Sequence, residues 1–303
     1  MKRILLTGGS GLLALNWAIT VRNQFEVVLA IHNREISLGD VKSMKFDTGS
    51  RESILKAIGQ IRPDLVIHTA GLTSVEDCEK FPDLARAVNT DLASNVSSVC
   101  AELSIALVHI STDHIFSGEF QFATEELPVN PINVYAATKA EAETRVLENY
   151  SEALVVRTNF YGWGPTYRRS FSDQIIYSLR KGKEITLFDD VFYTPILAES
   201  LIKTVHELLE AGAVGIYNVV SDDRISKYDF GIAIAENFSL NKSLIRRGKM
   251  ADKPGLVQRP LDMSLSTRKT CTKLGHSLGG INHDLSRLLE QEKSGIINEI
   301  IKL

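Results

Sequence analysis

Along the first half of the chain, short apolar runs alternate with stretches whose apolar residues recur at helical spacing. Arg3–Thr7, Glu26–Ile31, Ser43–Phe46, Leu65–Thr69, Ala106–Ser111 and Leu154–Thr158 read as strands. Between them, Leu12–Arg22, Ser50–Ile61, Pro82–Leu103 and Val134–Glu148 read as helices. Ser50, Glu52 and Ser53 mark a helix start, Pro63 closes that segment, and Pro82 suits a first helical turn. Nearly continuous apolar strands divided by helices predict an α/β fold, a doubly wound parallel (Rossmann) sheet covered on both faces. Its ligand would lie at the carboxyl ends of the strands.

After about Gly162 the pattern changes. Helical stretches at Phe171–Lys181, Ala198–Ala211, Lys227–Asn237 and Leu285–Lys293 are separated by short strand-like pieces, Glu184–Phe188 and Ile216–Val219. The expected division is a nucleotide-binding domain over 1–162 and a smaller C-terminal α/β substrate lobe over 163–303, able to interleave with the last sheet strands. The segment Ser117–Pro131, with Glu125, Pro128 and Pro131, reads as a loop beside the active site.

Composition narrows the function classes. With 44% apolar and 23% charged residues and a net charge of −3, the chain gives no reason to expect nucleic acid or membrane as its partner. Cys78, Cys100 and Cys271 are far apart and lack CxxC spacing, so neither a zinc site nor a disulfide framework is expected. Glycines end the first apolar run too early for a secretory signal. A soluble, cytoplasmic protein follows as the expectation.

The chemistry is concentrated in three places. Thr7-Gly8-Gly9-Ser10-Gly11-Leu12-Leu13-Ala14 follows a strand and opens a helix. There Gly8 can make the tight turn, and Gly11 lets a pyrophosphate approach the helix N-terminus. The second strand ends in Ile31-His32-Asn33-Arg34 with no immediate acid. Arg34 can pair with a 2′-phosphate, which favours NADP(H) over NAD(H), although Glu35 is near and a solvated loop arginine is the plain alternative. Asp47, after the third strand, could accept from an adenine amine or cap the helix near Ser50. Ser111-Thr112-Asp113-His114 ends the fifth strand with hydroxyls, or simply makes a turn there. Tyr135 and Lys139 are four residues apart and so share one helix face. An ammonium beside the phenol would lower its pKa and make it a usable proton donor to a carbonyl being reduced.

This order of motifs resembles the extended short-chain dehydrogenase/reductase superfamily, and more closely its dTDP-4-dehydrorhamnose reductase branch. The resemblance rests on Thr7-Gly-Gly-Ser-Gly11, Asp47-Thr48, His68-Thr-Ala-Gly-Leu-Thr-Ser-Val-Glu76, Ala87-Val-Asn-Thr90, His109-Ile-Ser-Thr-Asp-His-Ile-Phe-Ser-Gly118, Asn130-Pro-Ile-Asn-Val-Tyr-Ala-Ala-Thr-Lys139, Val156-Arg-Thr-Asn159 and Arg259-Pro-Leu-Asp-Met-Ser-Leu265. It implies a catalytic group of Thr112, Tyr135 and Lys139. It implies a cofactor path over Gly8, Gly9, Ser10, Gly11 and Leu12, past Asn33, Arg34, Asp47 and Thr48, to Ala70, Gly71, Tyr135 and Lys139. Substrate contacts would come from Thr73, Thr112, Asn159, Phe160, Tyr161 and Arg259, and no metal is implied. The expected activity is NADPH-dependent reduction of a 4-keto-6-deoxy-sugar nucleotide, by a homodimer paired through the helices Pro82–Leu103 and Val134–Glu148. Two alternatives stay open. One is an epimerase or epimerase-reductase, and the other a non-catalytic NADP-binding regulatory subunit like the beta subunit of methionine adenosyltransferase. His114 stands where the related dehydratases carry an acid, which disfavours dehydration. Phe160-Tyr161-Gly162-Trp163 departs from the branch's aromatic spacing.

Overall fold

The apolar runs of the first half become a parallel sheet. The computed structural model describes residues 1–303. It begins β1 (Arg3–Thr7), α1 (Leu12–Val21), β2 (Glu26–Ile31), β3 (Lys42–Lys45), α2 (Arg51–Ile61), β4 (Leu65–His68), α3 (Val75–Lys80) and α4 (Pro82–Arg86). Then come α5 (Leu92–Glu102), β5 (Ala106–Ile110), α6 (Val134–Asn149) and β6 (Leu154–Arg157). The second half supplies β7 (Phe160–Tyr161), α7 (Phe171–Arg180), β8 (Ile185–Phe188), β9 (Phe192–Tyr193), β10 (Ile196–Leu197), α8 (Ala198–Glu210) and β11 (Gly215–Asn218). It ends with β12 (Ile225–Ser226), α9 (Lys227–Asn237), β13 (Ile245–Gly248), α10 (Arg268–Leu274), α11 (Ile281–Ser294) and α12 (Asn298–Ile301).

Seven strands form the sheet in the order β11-β6-β5-β4-β1-β2-β3. Every pairing within it is parallel. Successive strand residues serve opposite faces. Ile4, Leu6, Leu29 and Val108 pack with Leu13 and Trp17 of α1 and with Leu201 and Val205 of α8. On the other face Leu5, Val28, Val66 and Leu107 meet Ile58 of α2, Val96 and Val99 of α5 and Val146 of α6. Burial on both faces explains why these strands are apolar throughout rather than alternating.

A second core lies beyond the carboxyl ends of the strands, built from Trp163, Ile175, Phe230, Ile234, Leu285 and Leu288. The chain does not stay there. From β7 it passes through α7 and back to α8 and β11, which pairs with β6 at the sheet edge. Only then does it build α9, β13 and α11 of the second lobe. No helix is long and apolar enough to cross a membrane.

Expected elements differ in kind or in bounds. The single helix expected over Pro82–Leu103 is interrupted by a π-turn at Ala87–Asp91. That extra residue in the turn aims Asn89 inward, where its amide accepts from Leu72 N–H at 2.7 Å and donates to Thr138 Oγ1 at 3.0 Å. The helix expected from Leu285 begins at Ile281, because Asp223 from a distant loop accepts the Ile281 N–H at 2.8 Å. The third strand lies one residue earlier than Ser43–Phe46, being a polar edge strand fixed by register with β2 rather than by its own pattern.

Candidate active site

The glycine loop is shaped by close packing between strand ends. Gly8 has φ +66°, and a Cβ there would fall 2.8 Å from Ala70 Cα. A Cβ on Gly9 would fall 2.7 Å from Leu29 Cβ. Side chains are therefore excluded from both positions. Gly11 starts α1 without any side-chain cap, so the amides of the first turn are left for another acceptor. A cleft of about 450 Å³ opens here, walled by Gly8, Ser10, Gly11, Leu12, Ala70 and Gly71 on one side. Thr73, Thr112, Tyr135, Asn159 and Phe160 continue the wall, along with Arg168 and Phe171 from the second half.

The reactive end is positioned by β5 and α6. Thr112 follows β5 in extended conformation, and its hydroxyl accepts from His114 N–H at 3.3 Å and donates to Asp113 Oδ1 at 3.2 Å. Tyr135 stands in the first turn of α6, whose start is fixed by the Asn133 side chain accepting from Ala136 N–H at 2.9 Å. Lys139, one turn on, donates to the Ile110 carbonyl at 2.7 Å and lies 3.4 Å from His109 Nε2. Burial lowers the Lys139 ammonium to about 8, opposed by the Glu143 carboxylate. Burial pushes the Tyr135 phenol up to about 12, opposed by the Thr112 hydroxyl. The expectation that Lys139 depresses this phenol is corrected. The ammonium turns to a backbone carbonyl, and desolvation decides the outcome. Tyr135 is a phenol held protonated.

Behind these groups lies a buried polar layer that sequence reading missed. Arg157 of β6 makes a buried ion pair with Glu143 of α6 at 2.8 Å, and Ser111 Oγ donates to the same carboxylate at 2.5 Å. An arginine inside the apolar run Leu154-Val-Val-Arg157 was the available signal. His68 and His109, opposite each other on β4 and β5, stack at 5.4 Å. Thr7 Oγ1 meets His68 Nδ1 at 2.8 Å. Burial lowers His68 to about 3, and His109 falls well below its ordinary value, so both rings are neutral. His114 is also neutral, lowered to about 3 by burial, and its ring meets Tyr135 edge-on at 5.5 Å.

The remaining expected site residues fall in different surroundings. Asn33, Arg34 and Asp47 are exposed and Thr48 is half-buried, at the ends of β2 and β3 beyond the cleft wall. Ser50 caps α2, which removes that role from Asp47; its carboxylate instead accepts from Gly49 N–H at 2.9 Å. Arg34 stacks on Tyr167, 3.8 Å from the ring centroid, and Tyr167 Oη donates to the Ser10 carbonyl at 2.9 Å. Arg168 donates to Thr73 Oγ1 at 2.6 Å. Tyr167 and Arg168 thus tie the second half of the chain to both sides of the glycine loop. Asn159 donates to Asp113 Oδ2 at 2.6 Å. Phe160 reaches the cleft, but Tyr161, its neighbour on a two-residue strand, faces the other way into the second core against Phe230. Tyr161 is therefore corrected from substrate contact to core residue.

Arg259 pairs with Glu76 and walls a second cleft of about 790 Å³, which shares Phe171 with the first. This second cleft also carries Lys227, Arg247, Lys249 and Lys253. The loop Ser117–Pro131 walls neither cleft. It is clamped instead to the segment after Arg259, with Phe122 N–H donating to Ser264 Oγ at 2.8 Å and Ala123 N–H to Ser264 O at 2.8 Å.

A cleft at the carboxyl ends of a doubly wound sheet, with a protonated phenol and a strand-end hydroxyl at its inner end, places the protein among the extended short-chain dehydrogenases/reductases, as an oxidoreductase. Within them it belongs to the RmlD substrate binding domain family, whose model matches residues 1–294. The chain is 31% identical over 287 residues to the probable low-salt glycan biosynthesis reductase Agl14 of Haloferax volcanii, covering 93% of this chain and 96% of that protein. It is 27% identical to the dTDP-4-dehydrorhamnose reductase of Aggregatibacter actinomycetemcomitans over 305 residues, 96% and 98% of the two chains. In fold it is similar to the dTDP-4-dehydrorhamnose reductase of Bacillus anthracis, solved in complex with NADP. That likeness has TM-score 0.85 at 23% identity and covers 96% of this chain and 100% of that one.

Proposed function

We propose that the protein reduces the ketone of a 4-keto-6-deoxy-sugar nucleotide with NADPH. The observation that carries this reading is the Tyr135 phenol, buried beside Thr112 and kept protonated in the cleft that opens from the dinucleotide loop, with a basic second cleft adjoining it at Phe171. The glycine cradle fits a dinucleotide, because a Cβ at Gly8 or Gly9 would collide with the strand ends and α1 begins without a side-chain cap. Gly8, Gly9, Ser10, Gly11 and Leu12 would hold its pyrophosphate, and Asn33 and Arg34 its 2′-phosphate. Asp47 and Thr48 would take the adenosine end, Ala70 and Gly71 would line the path inward, and Lys139 would take the inner ribose. When bound, NADPH supplies the hydride that the ketone carbon receives.

The chain's own residues supply the rest. Tyr135 gives its proton to the ketone oxygen as negative charge grows there, and the resulting phenolate recovers a proton from solvent. A phenol that burial holds in its acid form suits this direction of reaction, since the donor must carry its proton before each turnover. Thr112 turns its hydroxyl proton from Asp113 Oδ1 to the same oxygen and so orients the carbonyl. Thr73, Asn159 and Phe160 shape the sugar end, and Arg259 lies toward the nucleotide. Two copies would pair through Pro82–Leu103 and Val134–Glu148, and light scattering at defined concentration tests the pairing by mass.

The deciding assay is NADPH absorbance with a panel of dTDP-, GDP-, UDP- and CDP-linked 4-keto sugars. One or more should be consumed. Tyr135→Phe should lower turnover by about 100-fold or more while NADPH binding persists. No oxidation with any 4-keto sugar nucleotide would refute the proposal.

A further inference from the structure

Lys227 is a cation with no ion-pair partner within 4.0 Å, on the wall of the second cleft beside Phe171, the residue both clefts share. It opens α9, just after Ser226, whose hydroxyl accepts the Asp229 N–H and fixes the first turn. Its ammonium lies over two aromatic faces, 4.2 Å from the Tyr193 centroid and 4.8 Å from that of Phe171. Such faces hold an ammonium in place while leaving its hydrogens free to donate. No carboxylate lies within 4.0 Å of it.

The charged and titratable neighbours are already committed. Asp113, in the turn after β5, favours the Lys227 charge from a distance but makes its own hydrogen bonds elsewhere, accepting from Asn159 at 2.6 Å and from Thr112 at 3.2 Å. Arg259 pairs with Glu76. His114 is neutral. Burial draws Lys227 down to about 8, opposed by the Asp113 carboxylate, so it still carries its charge at neutral pH.

Position says what that charge is for. Lys227 walls the second cleft, while Asp113 and His114 wall the first, and Phe171 belongs to both. A sugar nucleotide with its ketone at Thr112 and Tyr135 must send its nucleoside away from the sheet. The second cleft, carrying Arg247, Lys249 and Lys253, is the adjoining space. The group passing through the neck is then the phosphate attached to the sugar.

We propose that Lys227 is a substrate-binding residue that takes this sugar-linked phosphate. The assignment rests on the sugar-nucleotide reading above. It makes the neck, rather than the nucleoside pocket, the place where a diphosphate-linked sugar is told from a free one.

The test compares wild type, Lys227→Met and Lys227→Arg in three measurements. These are KM for the keto sugar nucleotide that wild type consumes, Kd for dTDP and UDP by calorimetry, and Kd for NADPH. Lys227→Met should raise KM and weaken binding of the preferred diphosphate by about 10–100-fold, as for loss of one hydrogen bond to a charged group. Its NADPH affinity should stay unchanged, which also reports that the variant is folded, and Lys227→Arg should recover much of the loss. Binding of the diphosphate to wild type should weaken as pH rises through about 8, and that dependence should vanish in Lys227→Met. Calorimetry without cofactor separates this from the titration of Lys139, whose assigned place is at the cofactor ribose. If wild type turns over a sugar nucleotide and Lys227→Met leaves KM and diphosphate binding intact, the Lys227 assignment is overturned alone. If wild type consumes no sugar nucleotide and binds neither diphosphate, the reading it rests on falls, and the assignment with it.

Discussion

Removing the Glu143 carboxylate should be among the most damaging single changes in this protein. Both side chains of its pair with Arg157 are almost fully buried, at 3% and 4% exposure. The carboxylate accepts from Arg157 Nε at 3.0 and 3.1 Å, from Arg157 Nη2 at 2.8 Å and from Ser111 Oγ at 2.5 Å. Glu143→Ala leaves a guanidinium buried without its anion, and a guanidinium does not shed its proton to escape. Breaking one side of such a pair costs about 3–5 kcal/mol. That is a large part of a typical total of about 5–15 kcal/mol. The double variant Glu143→Leu with Arg157→Met removes both charges and should lose less than Glu143→Ala alone, since apolar replacement of a whole buried pair is often neutral.

Urea unfolding by tryptophan fluorescence is well placed to measure this, because Trp17 and Trp163 are fully buried in different cores. A loss below about 1 kcal/mol in Glu143→Ala, the range of exposed pairs, would refute the reasoning. So would a double variant less stable than the single one. The change also reaches the site, because Glu143 is the group that opposes the burial of Lys139. In Glu143→Gln the Lys139 ammonium should lose its proton at lower pH than in wild type.

Three further outcomes are expected. The reduction rate should fall as pH rises through about 8, where Lys139 loses its charge, while Tyr135, at about 12, stays protonated throughout; a profile flat to pH 10 would exclude that role for Lys139. NADPH should bind more tightly than NADH, and Arg34→Ala should narrow the gap, a charge-assisted contact being worth about 1.5–3 kcal/mol. Equal or tighter NADH binding by wild type in a fluorescence titration would remove the phosphate role of Arg34. Gly8→Ala should abolish NADPH binding in the same titration, because its Cβ would sit 2.8 Å from the Ala70 backbone in a left-handed turn, and normal affinity would show that the loop can relax.

What was legible in the sequence was what is local. β1 and β2 match their apolar runs residue for residue, and Tyr135 and Lys139 share a helix face because four-residue spacing dictates it. The π-turn at Ala87–Asp91 was hidden, since one extra residue per turn leaves helical composition unchanged. The start of α11 was hidden because its polar first turn is held by Asp223, distant in sequence. Tyr161 and Phe160 are neighbours, and only pairing of their strand with β10 decides which of them faces the cleft. The pKa of Tyr135 ran against expectation for a similar reason. Charge proximity can be guessed from spacing, but desolvation depends on everything packed around the phenol. Lys227 reads as an ordinary lysine at a helix start until the fold sets it between two aromatic rings.

The return of the chain to lay β11 beside β6 has a consequence for how such proteins are built and rebuilt. The sheet cannot be completed until residues up to Asn218 are available, so a ribosome-bound first half lacks its edge strand and the covering helix α8. Pairing strands so far apart in sequence makes closure slow relative to the local helices that precede it. The second lobe is then added in two instalments, one before that strand and one after it. Joining one relative's first half to another's second half would therefore also exchange a strand and a helix of the seven-stranded sheet and its cover. A working chimera needs separate segments spliced on either side of α8 and β11, with the host's own return passage kept between them.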